Sequence, residues 1–365
     1  MPASAAISVV DGRVILPPAG FRSNRHNDRR AFQFIFDRIM REVALIDEFR
    51  DLLTCEVIDF GSRFEHFLAA TQARRHIMHG SFASNSIQTG ALASRIDTVE
   101  TSDGARLAVR DWGSGEPMLF LSGWTLPSDF WGPQMVDFVA RGHRCLSFDR
   151  RGHGRSSDPG CGYDHDTLAD DIAAVIDTLG LRGLTVVAHS MATMEIARYF
   201  ARHDGVGIER VVLVGATTPF LLRTEDNPEG IDGGVLAAGS DLLMTDFPAW
   251  IAANTDPFFV AETSDAMKAW GQRMMLGTSL LAAVQLAQAN VSTDFRTDLT
   301  RIYVPTLVVH GDQDVSAPLA ITGARTAALI PDARLLVYEG APHGLPLTHA
   351  GRLARDITAF MAECG

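Results

Sequence analysis

Ser190, Asp314 and His343 are the residues whose types, order and neighbours could carry chemistry together. In "LTVVAHSMATMEIARYF" (184–200) a run of small and β-branched residues stops at Ser190, and an amphipathic helical pattern starts at once. That is the layout of a nucleophile elbow, a serine held at a sharp strand-to-helix turn. The elbow is normally written G-x-S-x-G. Here it is Ala188-His189-Ser190-Met191-Ala192, one methyl group added at each flank. A serine nucleophile needs a base to take its proton and a third group to orient that base. In the chain order serine, acid, histidine, "VPTLVVHGDQD" offers Asp312 and Asp314 after an apolar run, and "LLVYEGAPHG" offers His343 after another. Asp312 directly follows the strand and suits a turn-closing role, which favours Asp314. The segment Gly215–Thr218, where an acid could otherwise sit, has no carboxylate.

Acyl transfer through such a serine also needs two backbone N–H donors for the developing oxyanion. One comes from the residue after the nucleophile, Met191. The other comes from the loop after the third strand, in "FLSGWTLP", where it is Trp124. The Trp124 indole is then expected to line the acyl pocket. His189 is expected to point away from the site, and "DRRGHGRSS" (149–157) to form a turn network rather than a phosphate loop. His153 and His310 are expected to be structural. His26, His66, His76 and His79 lack ligand spacing, so no metal site is expected.

These residues need strands that end at one edge. Alternating apolar runs predict strands at 96–100, 106–112, 117–121, 144–149, 184–188, 209–214, 305–310 and 334–339. Helical spacing falls near 131–141, 166–179, 190–203, 318–329 and 347–363. Such alternation builds a mostly parallel sheet covered on both faces, with its chemistry at the carboxyl ends of the strands. The stretch 219–299 breaks the rhythm and looks mainly helical, as a cap inserted over a site would. Leu242, Leu243, Met244, Phe247, Trp250, Phe258, Phe259, Trp270, Met274 and Met275 within it predict a largely apolar acyl or alcohol group in the substrate. Residues 1–26 look irregular. Apolar positions recurring every three or four residues predict a helix over 28–53 and a second over 63–78, followed by a linker to residue 95. The division expected is 1–95 extension, 96–218 with 300–365 core, and 219–299 cap. The N-terminal helices could pack on the core or on a second copy of the chain.

Net charge is −12 over 365 residues, but residues 1–95 carry 12 Arg against 10 acids, leaving −14 for the rest. With no basic cluster interleaved with aromatics, a nucleic-acid partner is not expected. No apolar run approaches the roughly 18 residues of a membrane-spanning helix, and the N-terminus has no signal-peptide pattern. Four scattered cysteines suit a cytoplasmic protein with free thiols.

"GW" (123–124), "DRRGHGRSS", "DDIAAVIDTLGL", "HSM" with "EIARY", "TPFLLRTEDNPEGI", "DPFF", "HGDQD" and "PHG" together resemble the α/β-hydrolase superfamily over residues 96–365. The pattern is similar to its cofactor-free non-haem haloperoxidases and arylesterases. The resemblance implies an α/β-hydrolase fold with a helical cap, here with an N-terminal helical extension. It also implies Ser190, Asp314 and His343 as the triad and no metal or organic cofactor. Ser122 stands where the family usually has histidine, and Thr125 where perhydrolase-like members often have proline. The expected function is cleavage of a carboxylic ester or lactone. The alternatives are C–C bond hydrolysis or perhydrolase-type activity with the same triad. A non-catalytic receptor on this scaffold comes last.

Overall fold

The segment Leu184–His189 is apolar or buried at every position, as a strand covered on both faces must be. It lies at the centre of an eight-stranded sheet in a computed structural model that describes residues 95–364 and, by backbone alone, the strands Ser8–Val10 and Arg13–Ile15. The chain divides into two units, Met1–Ala91 and Leu92–Gly365. In the first, β1 (Ser8–Val10) and β2 (Arg13–Ile15) form an antiparallel hairpin, Val10 opposite Arg13. This corrects the irregular reading of residues 1–26. Asp11-Gly12 between two short β-branched runs is the two-residue hairpin signal, and it outweighed the breaker at Pro17-Pro18. The helices expected at 28–53 and 63–78 lie outside the described residues.

In the second unit the strands are β3 (Thr98–Glu100), β4 (Arg106–Gly113), β5 (Pro117–Leu121), β6 (Arg144–Phe148), β7 (Leu184–His189), β8 (Ile208–Val214), β9 (Thr306–Gly311) and β10 (Ala333–Tyr338). Their order is β10-β9-β8-β7-β5-β6-β4-β3. β3 with β4 and β4 with β6 are antiparallel, and the other pairs are parallel. Every expected strand of this unit is present, within two residues at either end.

Helices cover both faces. α1 (Gly132–Ala140) and the C-terminal helix share one core cluster, and α2 (His165–Thr178) and α3 (Ala192–His203) share the other. α2 is capped by Asp164, whose carboxylate accepts from the Thr167 amide at 2.9 Å. Between β8 and β9 lie α4 (Gly233–Thr245), α5 (Phe247–Phe258), α6 (Asp265–Met275), α7 (Leu280–Ser292) and α8 (Arg296–Leu299), so the inserted segment is helical as expected. α9 (Gly323–Leu329) starts later than residue 318. The Ile321 and Thr322 amides both fold back on the Pro318 carbonyl at 3.1 Å, making a turn instead. The last expected helix is broken into α10 (Leu345–Thr348) and α11 (Ala350–Glu363). Leu353, Ile357 and Phe360 on α11 are buried, each contributing about 1.5–3 kcal/mol relative to exposure. Among the described residues no single helix is long and apolar enough to cross a membrane.

Candidate active site

β7 delivers Ser190 to the carboxyl edge of the sheet, and the backbone there turns through φ +55°. A left-handed conformation costs a non-glycine residue energy, and the surroundings must hold it. They do so with three hydrogen bonds. The Ser190 amide donates to the Val214 carbonyl at 2.9 Å, and its carbonyl accepts from the Thr193 amide and hydroxyl at 2.9 and 2.6 Å. The turn delays α3 to Ala192, two residues beyond the expected start. Ala188 and Ala192 are wholly buried, so the elbow accommodates its two extra methyl groups. One glycine the site does need is Gly123 on the neighbouring loop. A Cβ there would lie 2.9 Å from both the Ser190 Cβ and the His189 Nδ1.

His343, from the loop after β10, places Nε2 2.8 Å from the Ser190 Oγ. Its Nδ1 lies 2.7 Å from the Asp314 Oδ2, from the loop after β9. The three predicted residues therefore meet, although 29 and 153 positions separate His343 from its two partners. A carboxylate only accepts, so Nδ1 carries the ring proton and Nε2 is left to accept from the serine hydroxyl. Burial alone would raise the Asp314 carboxyl. His343 and the hydrogen bonds from His310 and His343 outweigh it and hold the group well below its usual range. The other carboxylate oxygen accepts from the Ala317 amide at 2.7 Å. Asp312 instead accepts from the Gly340 amide at 2.7 Å, the turn-closing role expected of it.

Two histidines do more than the sequence suggested. His310 lies with Nε2 2.7 Å from the Ala317 carbonyl and 3.4 Å from the Asp314 Oδ2, so it pins the loop bearing the acid. His189 does not point away. Its Nε2 donates to the His343 carbonyl at 3.0 Å, the two rings lie 4.8 Å apart, and it lines the same cavity. Burial, then His343, pushes its basicity down to about 3, so it stays neutral beneath the site. Nothing in an alternating residue pattern could reveal this, because the imidazole reaches a loop 154 residues away. The His153 Nδ1 donates locally to the Arg151 carbonyl at 3.0 Å, and Asp149 accepts from the Ser128 and Arg155 amides, a turn network as expected.

Neither the Trp124 amide nor the Met191 amide donates to a protein acceptor among the described residues. The Trp124 indole lines the cavity, donates to the Ala283 carbonyl at 3.0 Å and meets Trp250 edge-on at 4.9 Å. The cavity holds about 320 Å³. Leu126, Leu221, Leu243, Trp250, Phe258 and Met275 give it apolar walls, with Thr217, Asn254, Asn290 and Ser316 as polar points. Of the apolar cap residues singled out from sequence, Leu242 and Met244 are exposed, Phe247 packs into the cap itself, and Phe259, Trp270 and Met274 pack in or against the core cluster of α1 and α11 rather than lining the cavity. Among the described residues no cluster of three His, Cys, Asp or Glu could hold a metal ion.

The family model for the alpha/beta hydrolase fold matches residues 116–350. The non-heme haloperoxidase of Rhodococcus erythropolis is 38% identical over 270 residues, covering 72% of this chain and 98% of that protein. A bifunctional esterase/perhydrolase of Acinetobacter calcoaceticus is 36% identical, covering 72% and 98%. Among solved structures, the bromoperoxidase from Bacillus anthracis superposes with a TM-score of 0.70 at 32% identity, covering 73% of this chain and 99% of that one. An esterase from Exiguobacterium antarcticum gives 0.70 at 27% identity with the same coverage. With a sheet, a serine turn and a histidine–aspartate pair arranged in this way, the chain belongs to the α/β-hydrolase family and is a hydrolase near its haloperoxidase and esterase members.

Proposed function

We propose that the protein hydrolyses carboxylic esters or lactones with a largely apolar acyl or alcohol part, through an acyl-enzyme on Ser190. The observation that carries this is the 2.8 Å contact of the Ser190 hydroxyl with a histidine whose other nitrogen is held by a buried aspartate. The Ser190 Oγ attacks the carbonyl carbon as its proton passes to the His343 Nε2. Asp314 keeps the proton on Nδ1 and stabilises the imidazolium. The carbonyl oxygen, now anionic, is received by the Trp124 and Met191 amides. Collapse expels the alkoxide, which takes the proton from Nε2. Water, deprotonated by the same imidazole, then attacks the acyl carbon and frees Ser190. The apolar walls favour an apolar chain, at about 25 cal/mol per Å² removed from water.

A fluorophosphonate probe is expected to label the full chain at Ser190, and Ser190→Ala to abolish both label and turnover of p-nitrophenyl butyrate. Persistent turnover in that variant ends the proposal. Gly123→Ala is expected to fold but to lose about 10²–10³ in kcat, because the new methyl group pushes the Trp124 loop off Ser190. An unchanged kcat would show that this loop does not shape the site.

The similarity to haloperoxidases and to a bifunctional esterase/perhydrolase favours a second reading, in which hydrogen peroxide replaces water in deacylation and yields a peracid. Against it, Thr125, in a left-handed conformation at φ +61° beside Trp124, stands where the family resemblance implies proline in perhydrolase-like members.

A further inference from the structure

Arg150 and Glu195 form an ion pair with side chains only 5% and 2% exposed. The Glu195 Oε1 accepts from the Arg150 Nε at 2.7 Å and lies 2.6 Å from Nη2. Burying two charges is costly, and a buried pair is often no more stabilising than apolar residues of the same volume. Its position gives it another use. The Arg150 guanidinium also donates to the Ser122 carbonyl from Nη2 at 2.7 Å and to the Gly123 carbonyl from Nη1 at 3.3 Å.

The Gly123 carbonyl and the Trp124 N–H belong to one planar peptide unit. A cation donating to that carbonyl draws electron density from the amide and makes its N–H a stronger donor, as in any polarised chain of hydrogen bonds. Together with the Leu126 amide, which donates to the same carbonyl at 3.2 Å, it fixes the plane of the peptide, and with it the direction of the N–H. Glu195 sits in the first turn of α3, whose N-cap is Met191, the residue with the other free amide. The pair thus links the peptide that carries the Trp124 N–H to the helix that begins after Met191, through one guanidinium.

We propose that Arg150, held by Glu195, is a positioning residue that orients and polarises the Trp124 amide as an oxyanion donor. This rests on the acyl-enzyme reading above. Arg150 touches no substrate. Its effect is confined to the state in which negative charge has developed on the carbonyl oxygen, so it acts on kcat and leaves ground-state binding alone.

The test uses the full chain with p-nitrophenyl butyrate and an aryl trifluoromethyl ketone, whose serine hemiketal carries an oxyanion in the same place. Arg150→Met is expected to lower kcat by about 10²-fold, no more than the loss of one oxyanion donor costs, with KM within threefold of the parent. Affinity for the ketone is expected to fall by the same factor as kcat. A folded variant with kcat within threefold of the parent overturns the proposal. So does a fall in kcat without the matching fall in ketone affinity, which would mark a merely structural role. If Arg150→Met does not fold, the double variant R150Q/E195Q, which leaves no buried charge unpaired, carries the test, with at least a tenfold loss in both quantities expected. Collapse of both variants would show a purely structural pair and also overturn the proposal. A parent chain that takes no fluorophosphonate label would instead sink the hydrolase reading, so the two failures are told apart.

Discussion

Asp314→Asn is expected to lower kcat on p-nitrophenyl butyrate by about 10⁴-fold, with KM close to the parent. The reason lies in how both carboxylate oxygens are used. Oδ2 accepts from the His343 Nδ1 at 2.7 Å, and Oδ1 accepts from the Ala317 amide at 2.7 Å. An asparagine has one acceptor and one donor. With its oxygen toward His343, its NH2 meets the Ala317 N–H donor head-on. With the amide reversed, NH2 faces Nδ1, the ring proton moves to Nε2, and that nitrogen can no longer take the serine proton. Each arrangement spoils either the loop or the tautomer. Asp312→Asn provides the contrast, because among the described residues the Asp312 carboxylate accepts only from the exposed turn at Gly340, and its variant is expected to stay within twofold of the parent. More than one hundredth of the parent kcat in Asp314→Asn would remove Asp314 from the orienting role.

The residues that meet at this site were legible because each rests on a local signal. An apolar run ends, a turn follows, and a serine, acid or histidine stands on it. Chain order then assigned the pairing, and the sheet topology carried all three to one edge. What escaped was whatever depends on chain returning from far away. His189 follows a strand residue whose side chain must face one side or the other. Only the arrival of the His343 loop, with its carbonyl 3.0 Å away, decides what it touches. His310 looked structural, and it is, but its neighbour Asp314 folds back through the Ala317 turn and makes that structural role bear on the acid. In the cap, composition forecast an apolar wall without saying which residues make it. Helical periodicity sends Leu243 to the cavity while Met244, one step of about 100° further round, stays half exposed. The hairpin at Ser8–Val10 and Arg13–Ile15 was present in the Asp11-Gly12 signal and was overshadowed by the prolines after it.

The stability of the second unit is expected to hold a larger surprise at His165. This residue opens α2, is 3% exposed, and finds no hydrogen-bond partner for either ring nitrogen among the described residues. Its ring meets Phe295 edge-on at 4.9 Å. Burial, then the positive charges of Arg198 and Arg150, push its basicity down to about 3, against the pull of Asp164 and Asp166. A helix N-terminus disfavours a cation there as well. In the unfolded chain the same imidazole takes a proton below about 6.5. Between pH 6.5 and 3 the unfolded state therefore binds one more proton than the folded one at this position, and stability falls as pH falls, by about 1.4 kcal/mol per unit. His165→Leu removes that term. At pH 7 the gain from deleting unpartnered polar atoms, about 1–3 kcal/mol, is offset in part by the lost aromatic contact. At pH 4.5 the variant should gain about a further 3 kcal/mol over the parent, since two pH units of proton uptake by the unfolded state have disappeared. Comparing the two proteins isolates this group, because every other titrating residue, including the buried carboxyls of Asp171 and Glu195 that burial pushes up, is common to both. Urea unfolding at pH 7 and 4.5 measures the difference. Parallel pH profiles for parent and variant would mean that His165 takes its proton in the folded state, and that its pocket is far more polar than its contacts indicate.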